Sequence, residues 1–226
     1  MKFISFTLLC IFISLVSSAQ FKNDLKREKL KGKVRSVTES EYNGSHDSLM
    51  FKAVYKYDDN GNEEDFSTYS PTGEKLSKTT FKYNDSGKLV ENDSGKLVEE
   101  NRYKADGSLN VRTTCKYDAK GNKIEEDNFD AGGVLFLKVL SKFDGKGNRI
   151  VKDSHNEFGI LFLKRNSKFD EDGNEISAKE YDSHHGLQFT ITYDYDGNDK
   201  AGNWTRRTMY KNDDAFTVTD REIEYR

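Results

Sequence analysis

A ruler runs through this chain and limits what it can fold into. An aromatic residue is followed by Asp or Asn, and three residues beyond that by Gly. The copies are Tyr57-Asp58 with Gly61-Asn62, Tyr83-Asn84 with Gly87-Lys88, Tyr117-Asp118 with Gly121-Asn122, Phe143-Asp144 with Gly147-Asn148, and Phe169-Asp170 with Gly173-Asn174. A sixth copy, Tyr195-Asp196, reaches Gly202-Asn203 after three extra residues. The aromatics are spaced 26, 34, 26, 26 and 26 apart. The outlier has a visible cause: the octet NDSGKLVE at 84–91 is repeated at 92–99, and removing one copy restores 26. A second aromatic slot lies 12 residues into each unit, at Tyr69, Tyr103, Phe129 and Tyr181, with His155 and Tyr210 in the remaining places. Gly73, Gly107, Gly133 and Gly159 follow it, and Gly186 comes one place late. A fixed period of this size means an array of small units sharing a core.

Each unit predicts a hairpin. Leu135, Leu137, Val139 and Phe143 share one parity against Lys138 and Lys142, and Leu187, Phe189, Ile191, Tyr193 and Tyr195 repeat the pattern. Period two with aromatic and β-branched enrichment is a strand with one buried face. Cys115 takes the inward parity, as an inert core thiol. The segment after each Gly-Asn, such as Lys123–Phe129, is more polar and is expected as a solvent-facing partner strand. The paired carboxylates Glu63-Glu64, Glu99-Glu100 and Glu125-Glu126 recur with the period, which marks a solvated face. Asp, Asn and Gly gather where turns need local hydrogen bonds or positive φ.

Ordering 26 backbones costs about 1–2 kcal/mol each, more than four or five buried side chains return. Neighbouring hairpins must therefore share a core. The expected fold is all-β: tandem hairpins of period 26 forming a continuous, coiled antiparallel meander, from a first strand at 32–42 to a last at 216–225. A thin, extended sheet also reconciles 33% charged residues with 12 Tyr and 15 Phe.

The N-terminus indicates export. Lys2 precedes an apolar run from Phe3 to Val16, and Ser17-Ser18-Ala19 supplies small residues before Gln20. That is the layout of a signal peptide over 1–19, too short for a spanning helix. Cys10 lies inside the apolar run with no small residue before it, which argues against a lipoprotein. Residues 20–31 are charged and patternless, a flexible lead-in or short helix before a repeat domain at 32–226. The destination is periplasmic, outer-surface or extracellular. Net charge is −3 with both signs mixed, so neither a nucleic-acid footprint nor a transmembrane segment is expected. Cys115 alone remains after the signal segment, so packing rather than a disulfide must stabilise the fold.

The run Tyr117-Asp118-Ala119-Lys120-Gly121-Asn122, behind a Leu-rich strand, resembles the RHS or YD repeat over about residues 32–225. The period is longer than the usual YD unit, and the Arg that commonly follows the turn Gly is absent. The chain also resembles a group of secreted repeat proteins of Bacteroidota, through Leu30-Lys31-Gly32-Lys33-Val34, Gly202-Asn203-Trp204 and Glu222-Ile223-Glu224-Tyr225. The resemblance implies hairpin arrays that form surfaces or shells, with roles in carbohydrate binding and cell contact.

Chemistry is sparse. Asp194, Asp196 and Asn198 put oxygens at alternate positions of a longer 194–203 loop, as a hard cation needs. They are the calcium candidates, against the simpler reading of turn chemistry. His46, His155, His184 and His185 do not form a zinc set, and no G-x-S-x-G elbow or phosphate loop occurs. No cofactor is expected, and no residue stands out as catalytic. Trp204, the only Trp, is the candidate for an exposed sugar platform. The expected function is non-catalytic: binding a polysaccharide or another surface component. The alternative is a structural or protein-interaction module docking through its edge strands, and a hydrolytic enzyme ranks third.

Overall fold

Period-two alternation becomes strand wherever two runs can share a ladder, and here every run finds two neighbours. The computed structural model describes residues 24–81, 97–118 and 120–226. The signal segment and most of the repeated octet lie outside the described residues. One helical turn, α1 (Asp24–Arg27), precedes β1 (Val34–Asn43), β2 (Leu49–Tyr57), β3 (Glu63–Tyr69) and β4 (Lys75–Phe81). Then come β5 (Leu97–Lys104), β6 (Leu109–Tyr117), β7 (Lys123–Asp130), β8 (Leu135–Phe143) and β9 (Arg149–Asn156). The chain ends with β10 (Leu161–Phe169), β11 (Glu175–Asp182), β12 (Leu187–Asn198), β13 (Trp204–Lys211) and β14 (Asp214–Tyr225).

Each strand pairs antiparallel with its sequence neighbours, and the meander closes on itself. Val37 of β1 lies opposite Tyr55 of β2 on one side and Ile223 of β14 on the other. The result is a closed barrel. The all-β hairpin meander is as the repeat predicts. Its closure goes further than the expected coil and removes the edge strands that the docking alternative needs. The hairpin array implied by the YD-like units is present.

The repeated Asp-x-x-Gly-Asn is a turn clamp. In the β6–β7 turn, Asp118 Oδ1 accepts the backbone N–H of Lys120 and of Asn122, both at 2.9 Å, and Oδ2 accepts Asn122 Nδ2 at 2.8 Å. Gly121 sits at φ 79°, a left-handed conformation that costs other residues about 1–2 kcal/mol. The same clamp joins Asp58 to Asn62, Asp144 to Asn148 and Asp170 to Asn174. In the last copy the clamping acid is Asp199, which holds Asn203. The three extra residues therefore lengthen β12 rather than the turn, and 194–198 is strand where the sequence suggested loop.

The opposite turns use a similar device. Asp130 Oδ1 accepts the N–H of Gly132 and Val134, and Asp182 Oδ1 accepts those of His184 and Gly186. Gly133 occupies the left-handed position at φ 83°. In the β11–β12 turn that position falls to His185, at φ 63°. The late Gly186 is thus not the equivalent glycine.

Strand alternation puts all the Gly-Asn turns at one mouth of the barrel, where residues 24–33 lie across them. Asp24 Oδ2 accepts the N–H of Glu63 at 2.7 Å, and Leu25 N–H donates to Gly61 O at 3.1 Å. Lys29 Nζ reaches Lys146 O in the β8–β9 turn at 3.2 Å. Asn203 clasps the backbone of Lys31 twice, at 2.8 and 2.9 Å. Leu25 packs with Val34, Val37 and Tyr57 in a buried cluster extended by Leu30, Tyr55 and Ile223. The segment is a plug.

The outer wall carries ion pairs. Lys138 bridges Glu125 and Asp127 at 2.8 and 2.9 Å, Lys78 meets Asp65 at 2.9 Å, and Arg206 meets Asp220 at 2.6 Å. The same face also exposes the apolar side chains of Phe136, Leu140 and Phe162. No helix among the described residues is long and apolar enough to cross a membrane.

Candidate functional site

The other half of every strand faces inward, and this half builds the site. A cavity of about 520 Å³ is lined from α1 and almost all the way round the barrel. A second, of about 460 Å³, shares Tyr55, Phe66 and Arg102 with it. The walls stand apart, since each strand packs closely only against its two neighbours in the sheet.

This interior is charged. Lys123 Nζ lies 2.7 Å from Glu100 and 3.8 Å from Glu126, whose carboxylate is also 3.9 Å from Arg149. Arg165 meets Glu175 at 3.0 Å and Glu180 at 2.8 Å, and donates to Tyr193 Oη at 2.7 Å. Arg221 meets Glu39 at 2.5 Å. Charges held off water persist only when paired in this way. Burial alone would weaken the charge on Arg165, but Glu175 and Glu180 outweigh it and hold the guanidinium protonated. The carboxylates expected on a solvated face are therefore split. Glu63, Glu100 and Glu126 line the cavity while Glu125 pairs outside, because adjacent residues on a pleat point to opposite faces.

Among the inward cations, Arg102, Lys152 and Arg207 have no carboxylate within ion-pair distance among the described residues. Arg102 makes no hydrogen bond to any of them, and its cross-strand partner Thr79 is buried with an unpartnered Oγ1. Lys152 lies opposite Ser141, buried with an unpartnered Oγ. Burial, then Arg149, pulls the Lys152 ammonium below its usual range. Arg207 stacks against Tyr193 and Trp204, 5.4 and 5.2 Å from their ring centroids. Its Nη2 touches Thr219 Oγ1 at 3.4 Å, and its buried Nε has no partner. Glu41, near Arg207, is raised above the usual carboxylate range by burial, with Arg207 opposing and Glu39 reinforcing the shift. Tyr195 donates to Glu175 O at 2.9 Å, and burial pushes its phenol up to about 12. None of these inward charges stood out in the sequence, since each looks like one more member of a polar strand.

The residues singled out from the sequence sit elsewhere or differently. Trp204 is half-buried against the lumen, with the Arg221 guanidinium 3.4 Å from its ring centroid and Tyr195 at 5.6 Å. It is not an open platform, because an arginine covers it. Asp194, Asp196 and Asn198 are exposed and lie along β12, about 6.6 Å apart at strand rise. They do not converge. Among the described residues no three His, Cys, Asp or Glu side chains gather as metal ligands would. Cys115 is fully buried, and burial drives its thiol well above the ordinary range.

No family model and no curated protein matches the chain. Among solved structures it is similar to a porin-like protein from Bacteroides uniformis, 12% identical over 86% of this chain and 98% of that one, at a TM-score of 0.48. It is similar also to a DUF1329 family protein from Desulfovibrio piger, 9% identical over 89% of each chain, at a TM-score of 0.30. A third likeness is to the Tc holotoxin pore of Photorhabdus luminescens, 11% identical at a TM-score of 0.20. There the match covers 80% of this chain and 14% of that one. Likenesses this distant say nothing of ligand or partner.

Proposed function

We propose that this barrel is a non-catalytic, exported binding protein whose lumen takes up a carbohydrate. The observation that carries the reading is the lining of the larger cavity. Phe81, Phe143 and Phe169 offer apolar ring faces to the cavity that Arg102, unpaired among the described residues, and the buried, unsatisfied Thr79 hydroxyl also line. Sugars need that combination, an apolar face for the ring and fixed donors for its hydroxyls. At about 520 Å³ the cavity lies within the usual span of small-ligand sites, about 300–1,000 Å³. The signal-like N-terminus supports delivery beyond the inner membrane.

The test is a thermal shift against a glycan panel, run with and without calcium. A ligand at 100 times its Kd should add about 2.7 kcal/mol of stability. No shift with any saccharide would remove the reading, and a calcium-dependent shift would return attention to Asp194 and Asp196. Turnover of any panel member would instead make the protein an enzyme.

A second reading, docking onto another surface component, is favoured by the unplugged rim. Three successive hairpins there present Val134, Phe136, Phe158, Ile160, Phe162 and Leu187, with Phe158 78% exposed. Exposed apolar side chains gathered on neighbouring hairpins mark an interaction site more often than a solvated one. A partner lost on Phe158→Ser with Phe162→Ser would favour it over the lumen.

A further inference from the structure

We propose that the lumen selects an acidic saccharide, one that carries carboxylates on successive rings, and that Arg207 and Arg102, on opposed walls, each engage one of them. The inference rests on the lumen reading above and narrows it. The barrel's interior arginines fall into two groups. Arg165 and Arg221 are consumed by Glu175, Glu180 and Glu39, and Arg149 leans on Glu126. Arg102 and Arg207 have no such carboxylate among the described residues, yet both line the same cavity.

Their positions make the vacancy chemical. β5 and β13 stand on opposed walls, with β14, β1, β2, β3 and β4 between them along the shorter arc of the sheet. Arg207 is pre-positioned, stacked on Tyr193 and Trp204, with hydroxyls as its hydrogen-bonding neighbours and a buried, unpartnered Nε. A buried guanidinium N–H without an acceptor costs the fold its lost hydration, and a ligand carboxylate accepting two parallel N–H bonds restores it. Arg102 is exposed into the junction of the two cavities, with no bond to any described residue. Burial raises the Glu41 carboxyl above its ordinary range, with Arg207 opposing the shift. A neutral sugar hydroxyl accepts from the Nε only singly, without the charge assistance and the paired geometry of a carboxylate.

The experiment compares tri-galacturonic acid with its fully methyl-esterified form, which keeps the rings and masks the carboxylates, by calorimetry on the mature chain. The acid is expected to bind at least tenfold more tightly, with affinity falling as salt rises. Arg207→Met keeps the packing length and should weaken the acid at least tenfold. Arg102→Met breaks no bond to any described residue and should do the same. Equal binding of acid and ester, or unchanged affinity in both variants, would overturn the inference while leaving a sugar-binding lumen. Inorganic sulfate competing as strongly as the trimer would also overturn it, since the site would then take any anion. Absence of binding by any saccharide would overturn this proposal and the lumen reading together.

Discussion

At the scale of single residues, the repeat is a rule about one carboxylate and one backbone conformation. Asp118 and its counterparts hold the turn, and glycine supplies the left-handed position that L side chains resist. His185 breaks that rule at φ 63°. His185→Gly should therefore raise stability by about 0.5–1 kcal/mol, read as a shift in the urea midpoint, provided the turn keeps its Asp182 bonds. A loss of stability would show that the imidazole contributes more than the backbone strain costs. The Asp-Gly-Asn spacing made these turns legible from the sequence alone. The substitution of His185 for glycine was not, because Gly186 stands next door and imitates the pattern. Trp204 illustrates the same limit: its type suggested a platform, but only tertiary neighbours reveal that Arg221 covers it.

At the scale of elements, strands were readable and their second face was not. The apolar parity of β8 and β12 named the buried side correctly at Val139 and Ile191. On β7 and β9 the apolar residues are split between the parities, Ile124 against Phe129 and Ile150 against Val151, so nothing local says that Glu126 and Arg149 turn inward. The turns between these strands also set a pH dependence. Asp118, Asp144 and Asp199 stand below the ordinary 3.8: burial pushes each up, and hydrogen bonds more than offset it, from the clamped Asn at Asp118 and Asp144 and from Tyr225, then Asn203, at Asp199. A carboxylate depressed in the folded state stabilises the fold above its unfolded pKa and loses that contribution as pH falls through the folded one. Stability should hold from neutrality to about pH 4 and fall below it, measured as urea midpoints across pH 2–7. Asp144→Asn should flatten part of that decline. A decline already complete at pH 5 would assign the acid sensitivity to the lumen pairs instead.

At the scale of the whole molecule, the ruler gave the number and length of hairpins but not their closure. Closure depends on strand count, tilt and stagger acting together, which no local window contains. The charged lumen and the plugged mouth follow from it, and so were equally invisible. The ruler does make one global claim of its own. Deleting Asn92 to Glu99 removes one copy of the octet, leaves the identical residues at 84–91, and restores the 26-residue spacing. The shortened chain should unfold cooperatively with equal or greater stability, and a broad or multistep transition would show the second octet to be integral.

Closure carries the lumen, and one cross-link tests it. Thr38 of β1 and Glu222 of β14 are direct partners on the outer face. The α-carbons of antiparallel partners stand about 4.5–5.5 Å apart, inside the range a disulfide needs. With Thr38→Cys and Glu222→Cys in a Cys115→Ala background, mild oxidation should give an intramolecular disulfide in nearly every molecule, seen as full loss of free thiol without dimer. Free thiols, or cross-links only between chains, would mean that the first and last strands do not meet and that the barrel is open.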